Sequence, residues 1–318
     1  MSLKSTVFVP VVICGGLMGT SATAQPVTDG LTAAFRADAL TGLSNGDAVA
    51  AWPDSSGAAH DVSQPNTSQQ PTYVASALNS QPAVRFNGAQ WLFRDNVLGS
   101  TLMTTSAATA YLVQKQLASD PQNTTFAWGS GNNRLLMHAT WQNILAFQHG
   151  DPSGGSWQQP PGWDDQYHIV EFVRDGTTIA DCLVDGAGLG RSPSADTPEI
   201  NETHRLWVGN DIFGNTLTGD VAEILVYNRA LTAAERASVV GYLSNKYAIA
   251  IRPVATGDVN CDGNVNNFDI NAFVAALVGG PNYYDNYPDC NLLNADANLD
   301  GAVNNFDIDP FVELLAGG

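Results

Sequence analysis

A thirteen-residue pattern near the C-terminus occurs twice, and this duplication constrains the fold more than any other feature of the chain. Residues 258–270 read DVNCDGNVNNFDI, and residues 296–308, 38 positions further on, read DANLDGAVNNFDI. Internal repetition of this kind usually means a duplicated structural unit. We therefore predict two matching loops, each followed by the same type of element.

Each copy has the spacing of a twelve-residue calcium-binding loop of the EF-hand type. In such loops side-chain oxygens stand at alternate positions, position 7 offers its backbone carbonyl, and glycine stands at position 6, where the chain turns sharply. The predicted ligands of the first ion are Asp258, Asn260, Asp262, Asn264, Asn266 and Asp269. Those of the second ion are Asp296, Asn298, Asp300, Ala302, Asn304 and Asp307. A set of polar turns is the alternative for a single loop, but two copies with Gly263 and Gly301 at position 6 disfavour it.

An apolar helix is expected after each loop. The first set of apolar residues at helical spacing is Ile270, Phe273, Val274 and Leu277, and the second is Ile308, Phe311, Val312 and Leu315. Apolar residues at this spacing form one face of a helix, so we expect the two faces to pack the units together. No helix is expected before the first loop, because Pro253 and Gly257 interrupt the approach.

The region from residue 257 to residue 318 resembles the type I dockerin family. The likeness rests on the duplicated DxNxDGxVNxxD motif, on Asp rather than Glu at position 12, and on the lack of an entering helix. It implies a small all-α domain that folds on two calcium ions and docks onto a cohesin-type partner or surface. The resemblance places the partner-specifying residues at loop positions 10 and 11, which are Asn267, Phe268, Asn305 and Phe306. Ser/Thr pairs are common there in the family, which leaves open which partner is selected.

Three cysteines follow the N-terminal segment. Cys261 and Cys290 fall within the repeat region, and we predict that they form a disulfide; two free thiols are the alternative. Closing a span of this length would stabilise the fold by roughly 3–4 kcal/mol in the chain-entropy model. Cys182 is predicted to be a small buried apolar residue on a strand.

Residues 1–24 have the features of a signal peptide. Lys4 precedes an apolar run over residues 7–18, and Ala22-Thr23-Ala24 precedes Gln25. The run is too short and too rich in glycine to cross a bilayer, and no other segment is apolar enough. We expect an exported bacterial protein, secreted or held at the cell surface, without a membrane span.

The charge balance excludes two classes of partner. The formal net charge is −18, from 13 Lys and Arg against 31 Asp and Glu. Nucleic acids and anionic membrane surfaces are bound through clustered basic residues, so neither is expected as a partner.

The region from residue 25 to residue 251 has the pattern of a β-sandwich. Short strand-like runs alternate with turn signals such as Asn87-Gly88 and Asp185-Gly186. The strand-like runs are Leu31–Ala37, Ala83–Phe86, Ala108–Gln114, Leu135–Ala139, Ile144–His149, His168–Arg174, Ala180–Val184, Arg205–Val208 and Val221–Tyr227. One helix is predicted from a capping box at Thr232 and Glu235. Its apolar face is Val240, Leu243 and Tyr247.

This region resembles the laminin-G-like, concanavalin A-like jelly-roll family. The likeness is carried by residues 50–57 (AAWPDSSG), 81–88 (QPAVRFNG) and 219–228 (GDVAEILVYN). It implies a jelly-roll sandwich, joined by a linker at residues 252–256 to the second domain. The fold class is therefore mainly β with a small α-helical domain. Such jelly rolls often bind glycans or proteins, sometimes through calcium, which leaves room for a further ion in the sandwich.

A binding role is favoured over catalysis. Glycoside hydrolysis needs a pair of carboxylates about 5 to 10 Å apart. No ExDxxE, GxSxG or HExxH pattern occurs, and we expect Glu171 and Glu223 to face solvent. Trp157 and Trp163, in a loop rich in Gly and Pro, are the expected ligand-binding residues, because exposed indole rings stack on sugars; packing beneath that loop is the alternative.

We therefore expect the jelly roll to recognise an extracellular polysaccharide or glycoconjugate. Two other functions remain open from the sequence. One is a divergent glycoside hydrolase acting in polysaccharide catabolism, and the other is a structural or adhesive surface protein with a protein ligand.

Overall fold

The computed structural model describes residues 25–317 except for residues 118–121, 132, 142, 151–153, 161–162, 177–178, 195–196, 252–254, 279–282, 284–285, 288–289 and 300–302. The predicted signal peptide, most of the predicted linker, and the predicted ligands Asp300 and Ala302 lie outside the described residues. We use jelly roll for residues 25–251 and C-terminal module for residues 257–318.

Sixteen strands within the described residues form two antiparallel sheets. In chain order they are β1 (Leu31–Arg36), β2 (Ala51–Trp52), β3 (Val62–Ser63), β4 (Thr72–Leu78), β5 (Gln81–Asn87), β6 (Leu92–Leu98), β7 (Ala107–Gln116), β8 (Gln122–Ser130), β9 (Asn133–Trp141), β10 (Ile144–Gly150), β11 (Gly155–Gln158), β12 (Tyr167–Asp175), β13 (Ile179–Val184), β14 (Ala187–Pro193), β15 (Thr203–Val208) and β16 (Thr218–Tyr227). The first sheet has the order β14-β13-β12-β7-β16-β5-β4, with β1 also paired to β16. The second has the order β11-β10-β9-β8-β15-β6-β3-β2. This arrangement is the expected mainly-β sandwich.

The first sheet is buried on both faces. On β7, Ala110 and Leu112 pack between the sheets, whereas Tyr111 and Val113 pack on the opposite side. That second side is covered by helix α1 (Ala233–Tyr247). Burial on two faces explains why β7 and β16 are apolar along most of their length instead of alternating with polar residues.

Helix α1 begins where the sequence predicts. The Thr232 side chain accepts a hydrogen bond from the Glu235 amide, and the Glu235 carboxylate accepts one from the Thr232 amide, so the capping box is formed. Val240, Leu243 and Tyr247 are buried against the first sheet, as the apolar spacing predicts. The turn at Asp185-Gly186 is also confirmed: both residues have positive φ, and they join the paired residues Val184 and Ala187.

The C-terminal module contains helices α2 (Asp269–Val278) and α3 (Ile308–Gly317). Its core joins the two repeats through the stacked rings of Phe273 and Phe311, whose centres are 3.9 Å apart. A disulfide links Cys261 to Cys290 with Cα atoms 5.7 Å apart, as predicted. Cys182 is free and buried, which also agrees with its prediction.

Only half of each predicted apolar helix face is buried. Phe273 and Phe311 are in the core, and Leu277 and Leu315 pack partly against it. The remaining four residues are exposed, namely Ile270, Val274, Ile308 and Val312. The prediction that the whole face packs the units together is therefore wrong, because two ten-residue helices can turn only one edge of each face toward the other.

Among the residues that the structure describes, none of the helices combines the length and the apolar character that a membrane crossing requires.

Candidate binding face and candidate calcium loops

The structure buries the two tryptophans expected to bind ligand. Trp157 is 5% exposed and donates from Nε1 to the Gly190 carbonyl at 2.7 Å. Trp163 is 4% exposed and donates from Nε1 to Gln116 Oε1 at 3.0 Å. Both rings belong to the core between the sheets, so the expected stacking role is wrong and packing is the correct alternative. Trp157 is buried because it lies on β11, where its side chain points inward and its ring lies against Gly155.

The second sheet turns one face toward the core and the other away from it, and we call the latter the outer face. Register pairs across β6, β15, β8, β9 and β10 place five residues in one row. The row consists of Phe93, Trp207, Ala127, Leu136 and Gln148. Paired residues on neighbouring strands point to the same side, so this row crosses the outer face. Helix α1 packs on the other sheet and does not cover it.

One end of the row carries an aromatic cluster. The Arg205 guanidinium lies 4.2 Å from the centre of the Phe93 ring and 4.7 Å from that of Trp207. Arg205 also forms an ion pair with Asp95 at 2.5 Å. Because Leu206 and Val208 point into the core, Arg205 and Trp207 alternate outward on β15. Aromatic character alone would assign Trp207 to the core. The alternation along β15 places it on the outer face instead.

The other end of the row is a cleft with a volume of about 340 Å³. Residues that line it include Arg134, His138, Ile144, Gln148, Ser156 and Phe213. Phe213 is 57% exposed at the tip of a loop, and the guanidinium carbon of Arg134 lies 5.0 Å from the centre of its ring. The Arg134 Nε donates to Gln148 Oε1 at 2.6 Å, which fixes both side chains in the cleft wall.

Buried polar groups hold the Phe213 loop in place. Asp211 accepts hydrogen bonds from the amides of Phe213 and Asn215, from Asn215 Nδ2, and from Thr124 Oγ1. Thr124 Oγ1 lies 3.0 Å from His138 Nδ1. Burial lowers the pKa of His138 to about 4, so this imidazole is neutral at neutral pH. The loop that presents Phe213 is therefore fixed by hydrogen bonds.

Residues 94–235 match the concanavalin A-like lectin/glucanases superfamily through its laminin G-type member. A concanavalin A-like fold is thereby supported for residues 94–235 of the jelly roll. The match supports the expected jelly-roll fold over these residues, which include one of the three segments that carry the resemblance, residues 219–228. No curated protein matches the chain.

Solved structures with similar folds include three proteins of different kinds. Domain 4 of AbnA, a GH43 extracellular arabinanase from Geobacillus stearothermophilus solved with arabinotriose, is 16% identical, with a TM-score of 0.47 over 67% of this chain and 97% of that one. The binding domain of Paraclostridial Mosquitocidal Protein 1 is 12% identical, with a TM-score of 0.49 over 69% of this chain and 53% of that one. Trypanosoma rangeli sialidase with sialic acid is 13% identical, with a TM-score of 0.47 over 72% of this chain and 35% of that one. The matched part of this chain therefore spans about half of the mosquitocidal-protein structure and about a third of the sialidase structure. At these sequence identities and TM-scores, none of the three structures assigns a function to this chain.

The two glutamates on strands do not face solvent. Glu171 lies beneath α1 and accepts hydrogen bonds from Arg236 Nε at 2.5 Å and Tyr111 Oη at 3.0 Å. Glu223 lies beneath the same helix and accepts hydrogen bonds from Lys246 and Tyr247. Burial raises the pKa of Glu223. The expectation of outward-facing carboxylates is wrong, because the first sheet has a helix on its outer side; both groups anchor that helix to the sheet.

The first candidate calcium loop is closed by its own carboxylates. Asp258 accepts hydrogen bonds from the amides of Asp262 and Gly263, both at 3.0 Å. Asp269, at position 12, accepts from the amides of Asn260 and Asn266, both at 2.9 Å. Asp258 and Asp269 are buried within the loop. Gly263 has φ of +88°, which suits the sharp turn predicted at position 6.

The second loop repeats this closure where the structure describes it. Asp307 accepts hydrogen bonds from the amide of Asn298 at 3.1 Å and from that of Asn304 at 2.8 Å. Asp296 and Asp307 are buried, like their counterparts in the first loop. The duplicated sequence therefore folds into duplicated loops.

The donor set of the first loop fits calcium. It consists only of carboxylate and amide oxygens, which this hard cation prefers. Within the described residues no three acidic, His or Cys side chains converge as a metal cluster, so asparagine and backbone oxygens would have to complete the shell. The C-terminal module contains ten Asp and Glu and no Lys, Arg or His. A bound cation would therefore reduce the repulsion among these carboxylates, because the module has no basic side chain of its own to offset it.

Phenylalanines at position 11 of both loops face solvent. Phe268 is 71% exposed and Phe306 is 72% exposed. Val274 and Val312 extend the same two patches along α2 and α3, at 52% and 55% exposed. Asn267 and Asn305, at position 10, are exposed beside them. The four predicted partner-binding residues are thus accessible, in two patches of nearly equal exposure.

Proposed function

We propose that this is an exported, non-catalytic binding protein with two working surfaces. The outer face of the second sheet recognises an extracellular polysaccharide or glycoconjugate. The C-terminal module binds two calcium ions and docks the chain onto a cohesin-type partner or surface.

The glycan role is supported by the outer face that α1 leaves uncovered. This face carries a solvent-exposed Phe213, the Phe93–Arg205–Trp207 cluster and a cleft with polar walls. Flat aromatic rings stack on the CH-rich faces of sugars, while amide, hydroxyl and guanidinium groups bind their hydroxyls. The described lining of the cleft contains no carboxylate, which favours recognition over glycoside hydrolysis.

A glycan array with residues 25–318 tests this role, followed by calorimetry on the best ligand. We expect Phe213→Ala to weaken binding roughly three- to tenfold, because one stacking contact is worth about 0.5–1.5 kcal/mol. Phe268→Ala removes an exposed ring of the C-terminal module, 71% exposed against 57% for Phe213, and serves as the matched control. An array without hits, together with a captured protein that needs Phe213, would favour the adhesive alternative.

The docking role is supported by the duplicated loops and by the exposed Phe268 and Phe306 beside them. Exposed apolar patches of this kind mark interaction surfaces in soluble proteins. Calcium would fix the loops from which these side chains project, and thus link docking to the ion.

Calcium titration calorimetry on residues 25–318 tests the module. Two bound ions are expected, and one should remain when either Asp269→Asn or Asp307→Asn is introduced. Asp309→Asn, an exposed carboxylate outside both loops, should leave both sites intact. Binding to a panel of recombinant cohesin domains should then require calcium and weaken in the Phe268→Ala and Phe306→Ala variants. An unchanged stoichiometry in both loop variants would reject the ligand assignment.

A further inference from the structure

The C-terminal module contacts the jelly roll through a short segment between its two loops. A 3-10 helix at Leu292–Ala295, with Asn291 at its N-cap, lies directly before the second candidate calcium loop. We call residues 291–295 the connector. Asn291 Nδ2 donates a hydrogen bond to the carbonyl of Gly186, in the turn between β13 and β14. The connector is therefore tied to a turn of the first sheet.

Two leucines are buried at this contact and not in the core of either part. Leu183, on β13, is 5% exposed yet belongs to neither of the cores that the structure describes in the jelly roll. Leu293, in the connector, is half-buried yet lies outside the described core of the module. Both leucines line a narrow crevice between β13, β14 and the connector, together with Asn291. Apolar side chains that leave water only where two parts meet stabilise that contact.

The second loop lies at the edge of the same contact. Asp296 and Leu299, at positions 1 and 4 of that loop, line a cavity of about 440 Å³ whose lining also includes Ala233 and Ala237 of α1. Residues 258–269 of the first loop, all of which the structure describes, line neither this cavity nor the crevice. The two loops are alike in sequence but differ in surroundings, because only the second borders the jelly roll there.

Hydrogen bonds fix the connector within the module. Asn294 Nδ2 donates to the Asp258 carbonyl at 2.7 Å, and Asn294 Oδ1 accepts from the Ala255 amide at 2.9 Å. The residue that follows the connector is Asp296, the predicted first ligand of the second ion. An ion that fixes Asp296 therefore also fixes the connector, and the contact with the jelly roll in turn holds Asp296 in place.

We propose that calcium in the second loop holds the C-terminal module against the jelly roll, so that the two working surfaces keep one relative orientation while the ion is bound. The inference rests on the proposed calcium binding and adds its consequence for the arrangement of the two parts. Such coupling is reciprocal: if the ion strengthens the contact, the contact strengthens binding of the ion by the same factor. A substitution in the jelly roll should therefore change the calcium affinity of the module, which independent domains would not allow.

Calcium titration calorimetry on residues 25–318 tests the coupling. Leu183→Ala removes apolar contact from the jelly-roll side and should weaken one of the two calcium sites about fivefold or more, the lower end of typical couplings. Leu78→Ala shortens a half-buried leucine of β4 outside the crevice and the cavity, and should leave both affinities unchanged. Asn291→Ser repeats the test from the module side with the same expected loss, because serine still caps the 3-10 helix but is too short to reach Gly186.

Rotational diffusion, measured by ¹⁵N relaxation at saturating calcium, shows whether the module moves with the jelly roll. The amides to compare are those of residues 258–278 in the module and those of the two sheets. In the wild-type chain and in Asp269→Asn, which removes a predicted ligand of the first loop, one correlation time should describe both parts. In Asp307→Asn, which removes a predicted ligand of the second loop, the module should have a shorter correlation time than the jelly roll.

The outcomes separate this inference from the proposed function. Unchanged calcium affinities in both Leu183→Ala and Asn291→Ser overturn the coupling, as does separate tumbling of the wild-type module at saturating calcium; either result keeps the calcium-binding function. An equal loss of affinity in Leu78→Ala also overturns it, because general destabilisation of the jelly roll would then be the cause. No bound calcium in the wild-type chain overturns the coupling and the calcium-binding function together.

Discussion

The jelly roll and the C-terminal module are stabilised by different means. The jelly roll has one core between its sheets and a second beneath α1, so one of its sheets is buried on both faces. Among its described residues, the module has a single core of ten buried side chains, one disulfide, and two loops held by buried aspartates. A short chain buries a smaller fraction of its surface than a long one, so burial alone supports the module poorly. In the module, a disulfide and buried, hydrogen-bonded aspartates therefore accompany a single apolar core.

Removal of calcium should give the largest separation between the two regions. Each ion at 100 times its dissociation constant would stabilise the module by about 2.7 kcal/mol, or about 5 kcal/mol for two ions. With EDTA, we expect hydrogen exchange to accelerate across residues 257–318 while the jelly roll keeps its protection. Loss of protection in the jelly roll, or an unaffected module, would contradict the comparison.

Breaking the buried ion pair under α1 should destabilise the jelly roll alone. Arg236→Ala leaves Glu171 buried without its partner, which typically costs about 3–5 kcal/mol. The matched control is Arg229→Ala, because its pair with Glu235 is partly exposed and such pairs contribute about 1 kcal/mol or less. Thermal unfolding followed by near-UV circular dichroism measures both. Equal effects of the two variants would show that burial of the pair does not matter.

Loss of the disulfide should act on the module alone. Opening the Cys261–Cys290 bridge, which closes a span of 29 residues, should destabilise the module by about 3–4 kcal/mol in the chain-entropy model. The measurement is limited proteolysis of the Cys261→Ser/Cys290→Ser variant at fixed calcium concentration. Cys182→Ala, which removes the free buried thiol of the jelly roll, is the control. A module equally resistant with and without its bridge would argue that the loops alone hold it together.

Mild acid should weaken the jelly roll through two buried histidines. Burial lowers the pKa of His138 from 6.5 to about 4 and that of His149 to about 3, with Arg174 adding to the second effect. Below pH 6.5 the unfolded chain binds protons that the folded chain does not, so stability falls as the pH falls toward 4. The slope is at most about 1.4 kcal/mol per pH unit for each histidine.

The C-terminal module contains no histidine, so it should lack this component between pH 7 and pH 5. Urea unfolding of the jelly roll across that interval measures the slope. A pH-independent midpoint would show that the two imidazoles are not buried in the neutral form.

Sequence periodicity predicted the strands better than it predicted exposure. All nine predicted runs fall on strands except for Ala37, which ends the first run and begins a 3-10 helix, whereas short or polar strands such as Ala51–Trp52 and Gly155–Gln158 were missed. Trp157 is predicted to be exposed because glycine and proline surround it, but it is buried. The alternation in Arg205-Leu206-Trp207-Val208 already places Trp207 opposite the core, and this signal was available. Burial of Glu171 and Glu223 depends on a helix that packs from a distant part of the chain, which strand patterns cannot indicate.

The duplicated motif predicted two matching loops, and the cysteines of the repeat region predicted the disulfide, but neither predicted the exposed halves of α2 and α3. A helical apolar stripe normally indicates core, and the inference fails when a domain has no second layer to cover the stripe. The calcium ligands themselves remain a prediction.

The two repeats present patches that match in exposure but not in charge. Phe268 and Phe306 are exposed to the same extent, yet Asp309 and Glu313 accompany only the second patch, where the first has Asn271 and Ala275. A partner that contacts only apolar groups would accept either patch and could hold the chain in two different orientations. A partner with lysines beside its apolar groove would accept only the second patch, and the jelly roll would then always point the same way.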